Sequence, residues 1–459
     1  MNRRDLLSMA ALAGTSAAAG RGAAAAPLAA ATPPVALPAA DVLRDAPPLS
    51  RERAYAVMER LDLDGLVLVD PVNVYHLTGF WPATARMGYE PNLYALLSRD
   101  PSQPVTAVAS EFTYYYLLSD AHPAFPLELF LFSAPADAGE LAAARAAGYR
   151  DDPPAIDTLV WPDAGEEPMG SGEQARRSAV DAATRDHPIS ADADVALVKA
   201  VRALGFTGGS IAVDRNATAA IFERAGLEAR TVDAGDVMKR IRLVKSPREI
   251  ALLRQAASAN VEAALASVQA ARAGASYREM RTLFYAEAAR RGNRGVFMVI
   301  NGVSAETVER SFRDGDAFLF DAVSEGAGYH GDFARTVFLG EPPRSMKKAT
   351  QAIKLGWDTV RESLRPGLRF SEITALGRET LRKAGYDFRV AFGPHSVGLC
   401  HTDAPGLGDI ALEPGMVLSV DCPVMEAGIG GTAHLEDLML ITRTGAEPLH
   451  PLSENVIVL

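Results

Sequence analysis

Asp321, Asp332, His395, Asp421 and Glu436 are the residues of this sequence whose types and spacing point most directly to chemistry. Asp321 closes the apolar run Ala317-Phe-Leu-Phe. Asp332 lies eleven residues further on, beyond Gly326, Gly328 and Gly331 and just ahead of Phe333-Ala-Arg-Thr-Val-Phe338. A hairpin turning through the glycines would set the two carboxylates side by side. Carboxylates held that close repel unless a cation or a proton compensates. His395 stands in the turn-rich stretch Phe392-Gly-Pro-His-Ser-Val-Gly398, Asp421 ends Met416-Val-Leu-Ser-Val, and Glu436 opens a further apolar stretch. Four carboxylates and one imidazole are suitable donors for two hard or borderline divalent cations. Such a pair activates water and polarises a carbonyl. From spacing alone, each acidic residue reads equally well as a turn former at a strand end.

The elements that must position these residues follow from hydrophobic period. Before residue 239, strand patterns at Gly65–Val69, Val105–Val108, Thr158–Trp161 and Ser210–Val213 alternate with helical stretches at Ser50–Leu61, Glu173–Thr184 and Asp194–Leu204, an α/β arrangement. Pro188 separates the last two helices. No glycine-rich nucleotide loop or Walker motif accompanies these strands. From Lys239 onward, Pro247 to about Ala270 reads as a helix with a Ser246/Glu249 capping box, and Ser276–Arg291 as a second. Strands follow at Val296–Ile300, Ala317–Val323, Phe333–Leu339, Met416–Val420 and Asp437–Ile441, with helices at Lys347–Ser363 and Ser371–Ala384 between them. Helices set against an antiparallel sheet give α+β for this second part.

The chain has 459 residues, of which 48% are hydrophobic and 22% charged, and a net charge of −11, a composition that excludes wholesale disorder. The acidic balance argues against nucleic-acid binding. Two cysteines, Cys400 and Cys422, provide neither a disulfide framework nor a thiolate zinc site. Residues 1–26, with Arg3-Arg4, a weakly apolar Ala-rich run and Ala24-Ala25-Ala26, have the layout of a twin-arginine-type signal peptide. They predict a periplasmic or secreted product. Residues 27–49 read as a flexible Ala/Pro-rich leader. No later run is long enough to span a bilayer, so stable membrane insertion is not expected.

Several of these motifs, in order, resemble the pita-bread metallopeptidases, the family of methionine aminopeptidase, prolidase and aminopeptidase P, whose fold creatinase shares without a metal. They are Arg242-Leu-Val-Lys245-Ser-Pro-Arg-Glu249, Asp321, Gly328-Tyr329 ahead of Asp332, Arg335-Thr336, His395, Leu412-Glu-Pro-Gly-Met416 and Glu436-Asp437. Upstream, Pro71-Val-Asn-Val-Tyr75-His-Leu-Thr-Gly-Phe80 resembles the creatinase/prolidase N-terminal domain. The resemblance implies an α/β N-terminal domain over 50–238 that shapes substrate access and a pita-bread catalytic domain over 239–459. It implies metal ligands at Asp321, Asp332, His395, Asp421 and Glu436, with Asp332 and Glu436 shared between two ions. One or two divalent ions (Mn, Zn, Co or Fe) are implied, and a homodimer. His401 would stabilise charge on the carbonyl oxygen and Glu436, or Glu413, would shuttle the proton. In a metal-free protein His395 would become the general base.

The sequence departs from the family pattern in four places. Asp421 replaces a glutamate, Val323 replaces a glycine, the stretch Asn301–Glu306 lacks a histidine that the peptidases have, and His401 follows His395 by six residues rather than seven. The leading expectation is hydrolysis of an amide bond in a small peptide or peptide-like substrate, Xaa-Pro compounds included. The alternatives are a non-peptide small-molecule hydrolase or lyase and a catalytically silent binding protein. Glu426 is a substitute for Asp421 off the motif. His76 reads as structural, His330 as part of the connecting turn, Cys400 as a small buried filler and His434, two residues before Glu436, as a substrate-contact candidate. Trp81, Tyr89 and Tyr94 read equally as a lid, a dimer contact or core.

Overall fold

The computed structural model describes residues 46–121, 125–133, 168–425 and 428–459, with a few positions between 139 and 146. The signal-peptide stretch, most of the Ala/Pro-rich leader, the Thr158–Trp161 strand and Glu426 lie outside the described residues.

The N-terminal part holds a six-stranded mixed sheet in the order β4-β3-β2-β1-β5-β6. Its strands are β1 (Gly65–Leu68), β2 (Tyr94–Ser98), β3 (Val105–Ser110), β4 (Leu127–Phe132), β5 (Ser210–Val213) and β6 (Arg230–Asp233). Sequence period finds β1, β3 and β5 but not the others. Helices Arg51–Arg60, Ser171–Ala183 and Ala193–Ala203 lie within a few residues of their predicted spans. The end of the Ala/Pro-rich stretch is docked: the Leu49 N–H donates to His76 O at 2.9 Å, and the Ser246 hydroxyl to Pro48 O at 2.9 Å. Tyr94 is buried in β2, whereas Tyr89 is exposed.

The C-terminal part is built on two four-stranded sheets. The first, ordered β14-β9-β8-β7, comprises β7 (Arg294–Ile300), β8 (Ala317–Gly326), β9 (Tyr329–Phe338) and β14 (Val456–Val458). The second, ordered β10-β11-β12-β13, comprises β10 (Gly393–Ser396), β11 (Val417–Asp421), β12 (Met439–Ile441) and β13 (Ala446–Pro448). Apart from the parallel β14–β9 pair, all these pairings are antiparallel. Helices Pro247–Ser267 and Tyr277–Arg290 begin in capping boxes, Ser246 with Glu249 and Ser276 with Glu279. Each box satisfies backbone N–H groups that a helix start leaves unpaired.

Period-2 alternation decides which face of the first sheet bears chemistry. Phe318, Phe320 and Ala322 of β8 and Phe333 and Val337 of β9 pack with Met280 and Phe284 in one core. Each phenylalanine so buried contributes roughly 1.5–3 kcal/mol. The alternate residues, Asp321 and Val323 of β8 with Asp332, Ala334 and Thr336 of β9, therefore turn to the opposite face. That face meets the segment leading into β12 of the second sheet, where Ala334 pairs with Glu436. Among the described residues no helix is long and apolar enough to cross a membrane.

Candidate metal centre

The hairpin β8–β9 turns at Ala327-Gly328, with Gly326 paired to Tyr329. Both turn residues have positive φ, 49° and 82°, as a two-residue turn matched to strand twist requires. The register sets Asp321 opposite Ala334 and Asp332 opposite Val323, so the two carboxylates are diagonal neighbours on one face. His330 is therefore not in the turn, as its sequence position had indicated, but within β9, opposite Glu325. It is buried, with Nδ1 3.2 Å from Gly398 O. Gly331 is needed for close approach: a Cβ there would lie 2.4 Å from Asn260 Cβ and 2.9 Å from Ala256 O of the helix behind it.

The second sheet and the segments that flank its strands deliver the remaining residues. The stretch around His395, read as turn-rich, forms strand β10, in which His395 pairs with Ser419 and Gly393 with Asp421. The Ser419 hydroxyl donates to Glu436 Oε1 at 2.5 Å. His395 Nε2 lies 3.6 Å from Asp332 Oδ2, 3.6 Å from Glu436 Oε1 and 3.9 Å from Asp421 Oδ2. His401 Nε2 approaches Asp332 Oδ2 to 3.1 Å, though off the line of a ring hydrogen bond. His434 Nε2 lies 3.5 Å from both Asp421 Oδ1 and Glu436 Oε2.

The five predicted ligands thus converge, and His401 and His434 join them. Glu413 does not: it is 48% exposed and pairs with Arg53 at 3.0 Å on the surface. Sequence reading undervalued His434, whose two-residue spacing from Glu436 was the available signal, and missed Ser419, two residues before Asp421. Cys400 is partly buried, and burial raises its thiol pKa, as suits a packing residue.

The electrostatics show what the cluster lacks. Burial first, and then Asp332, push the Asp321 carboxyl up to about 7. Burial and its three carboxylate neighbours raise Glu436 well above the usual range. For Asp332, burial opposes ionisation but His401 and His395 outweigh it and hold the group low. Asp421 is likewise held low, against burial, chiefly by His434 and His395. His401 is raised because Asp332 outweighs the effect of burial. Repelling carboxylates beside one another are forced to retain protons unless a cation takes their place.

The donor atoms fit a divalent-metal centre. Asp321 Oδ1, both Asp332 oxygens, both His395 nitrogens and Glu436 Oε2 are buried with no hydrogen-bond partner among the described residues. Buried polar atoms are rarely left so. One ligand atom from each member falls within 4.8 Å of the others in three sets: Asp332, His395 and His401; Asp321, His434 and Glu436; and His395, Asp421 and Glu436.

The fold has known counterparts. The architecture is the α+β pita-bread fold. It aligns with the crystal structure of a dipeptidase from Pyrococcus horikoshii OT3 at a TM-score of 0.64 and 17% identity, over 89% of this chain and 99% of that one. The prolidase from Pyrococcus horikoshii OT3 aligns at a TM-score of 0.60 and 18% identity, over 88% and 99%. Residues 251–443 match the model of metallopeptidase family M24, a span that contains every clustered residue. The probable dipeptidase PepE of Mycobacterium tuberculosis is 27% identical over 237 residues, 49% of this chain and 63% of its own length. The Xaa-Pro dipeptidase of Pyrococcus furiosus is 25% identical over 230 residues, 47% of this chain and 65% of its own.

Proposed function

We propose that this protein is a metal-dependent hydrolase that cleaves an amide bond in a small peptide or peptide-like substrate, Xaa-Pro compounds included. The observation that carries the reading is the buried set of unpartnered carboxylate and imidazole atoms on the facing sheets. Asp321, Asp332, His395, Asp421 and Glu436 would hold one or two divalent ions. Bound there, Mn, Zn, Co or Fe would supply Lewis acidity toward water and a carbonyl oxygen.

The chain's own groups divide the remaining work. Asp332 and Glu436 form the floor, with side chains 0% and 1% exposed; Asp421, 42% exposed, and His401, 33% exposed, form the open rim. A substrate therefore approaches past His401. From that rim His401 would donate a hydrogen bond to the carbonyl oxygen as negative charge develops there. Ser419 fixes Glu436 through Oε1 and so orients the carboxylate that would move a proton from water toward the leaving amine. Half-buried Phe297 packs edge-on against His401, with ring centroids 5.3 Å apart, and offers an apolar wall.

The test is a metal-reconstituted assay against dipeptides with and without proline at the second position. Turnover that disappears in Asp332→Ala and His395→Ala supports the reading. A second reading, hydrolysis or lysis of a small non-peptide, is favoured by Asp421 and by the segment after β7. There Asn301, bonded to Tyr277 and Thr432, belongs to the scaffold and no histidine faces the site. Inactivity on every peptide, with turnover of a small amide, guanidino or sulfonium compound, would select it.

The Arg3-Arg4 stretch supports export of the folded protein. An unchanged distribution after replacing both arginines with lysine would contradict the twin-arginine route. Homodimer formation is part of the same proposal, and light scattering at the mass of one chain would oppose it.

A further inference from the structure

We infer that His434 is a sixth metal ligand, completing with Asp321 and Glu436 the coordination of one ion. This rests on the metal-centre reading above.

Three features of the structure bear on it. The first is distance. His434 Nε2 stands 3.5 Å from Glu436 Oε2, and that oxygen has no hydrogen-bond partner among the described residues. Two donors each about 2.1 Å from one tetrahedral ion stand about 3.4 Å apart. The spacing is thus what shared ligation requires and longer than a good hydrogen bond. Asp321, His434 and Glu436 each offer an atom within 4.8 Å of the others.

The second is anchorage. The His434 N–H donates to Thr336 Oγ1 at 3.0 Å, and the Thr336 hydroxyl donates back to His434 O at 3.1 Å. Thr336 lies on β9, four residues beyond Asp332 on the same face. The backbone of residue 434 is therefore fixed to the strand that carries Asp332, while its side chain is only 5% exposed. Preorganisation of this kind lowers the ordering cost of ligation.

The third is charge. His434 Nε2 also lies 3.5 Å from Asp421 Oδ1, so its ring faces carboxylates on two sides. A neutral imidazole adds a donor without adding to the repulsion among Asp321, Asp332, Asp421 and Glu436. The consequence is a centre with one imidazole toward each ion, His395 on one side and His434 on the other. Imidazole suits Zn, Co and Fe, whereas oxygen-only sites suit Mn. The centre should accordingly prefer the former group.

The test is cobalt(II) titration of metal-free protein, followed by elemental analysis and visible absorption. Wild type, His434→Asn and His434→Cys are compared after far-ultraviolet circular dichroism has shown each to be folded. The inference expects two cobalt ions per wild-type chain. It expects roughly tenfold or greater weakening of one of them in His434→Asn, the scale on which loss of support to a metal site is felt. It also expects a near-ultraviolet thiolate-to-cobalt band in His434→Cys that wild type, with Cys400 and Cys422, does not show. Two equally tight ions and an unchanged spectrum in His434→Asn, or no thiolate band in folded His434→Cys, would overturn the assignment of His434 while leaving the five-residue centre intact. Failure of wild type itself to bind cobalt would overturn both.

Discussion

The Tyr75 hydroxyl donates to the carbonyl of Ala327 across 2.6 Å, tying a helix of the N-terminal part to the tip of the hairpin that carries Asp321 and Asp332. Ala327 is one of four non-glycine residues with positive φ among the described residues, a conformation that costs roughly 1–2 kcal/mol without outside support. Trp81 meets Tyr75 edge-on at 5.3 Å, and Arg86 lies over Trp81 while pairing with Glu325 of β8 at 3.1 Å. The N-terminal part thus clasps the tip of the hairpin.

Tyr75→Phe removes the bond and leaves the ring. We expect a loss of about 1 kcal/mol in denaturant unfolding, with weaker metal retention because the hairpin tip is freed. Unchanged stability and metal content would show that the turn holds its shape alone.

Asp403 organises the loop that bears His401. Its carboxylate accepts from Arg242 Nε at 2.9 Å and Lys245 Nζ at 3.1 Å, and Lys245 also donates to Ser396 beside His395. Burial opposes ionisation of Asp403, but Lys245 and Arg242 outweigh it and hold its pKa below the ordinary value. Asp403→Asn should cost about 3–5 kcal/mol near neutral pH, because two buried cations lose their counter-charge. The sign with pH follows from linkage: a depressed folded-state pKa gives stability that is present above the unfolded value, about 3.9, and is lost as pH falls through the folded one. The gap between wild type and Asp403→Asn should therefore be full at pH 6–7 and narrow only below about pH 4. A gap independent of pH would remove the charge from the explanation.

Gly331→Ala would place a methyl against Asn260 and the carbonyl of Ala256. Overpacking of this kind costs about 1–3 kcal/mol, and it displaces the strand next to Asp332. Thermal unfolding should show the loss, and metal affinity should fall with it. A substitution without effect on either would mean that the helix yields freely.

Chelation should lower the melting temperature of wild type by several degrees, since a ligand that binds only the folded state stabilises it by mass action. In Asp332→Ala the same treatment should change little. An equal drop in both would place the stabilising ion elsewhere.

Much of this was legible in the sequence because period and spacing are local signals. The β8 run Ala317-Phe-Leu-Phe-Asp321 and the capping boxes at Ser246 and Ser276 show their structure within a few residues. The short strands β2, β4, β6, β10, β13 and β14 were not legible. Their pairing is set by neighbours distant in the chain, and Gly393-Pro394 in β10 reads as a turn in isolation. At the site, the five carboxylate and imidazole positions could be named from motif order. The role of Ser419, the inclusion of His434 and the withdrawal of Glu413 to Arg53 depend on how two sheets meet, which no single stretch encodes.

The measurement closest to the central claim is hydrolysis of an Xaa-Pro dipeptide, followed as divalent metal is added in known equivalents to metal-free protein. The account predicts no turnover at zero equivalents, a rise that saturates at one or two per chain, and no rise in Asp332→Ala. Turnover insensitive to chelator, or no cleavage of any small amide by fully loaded wild type, would contradict it.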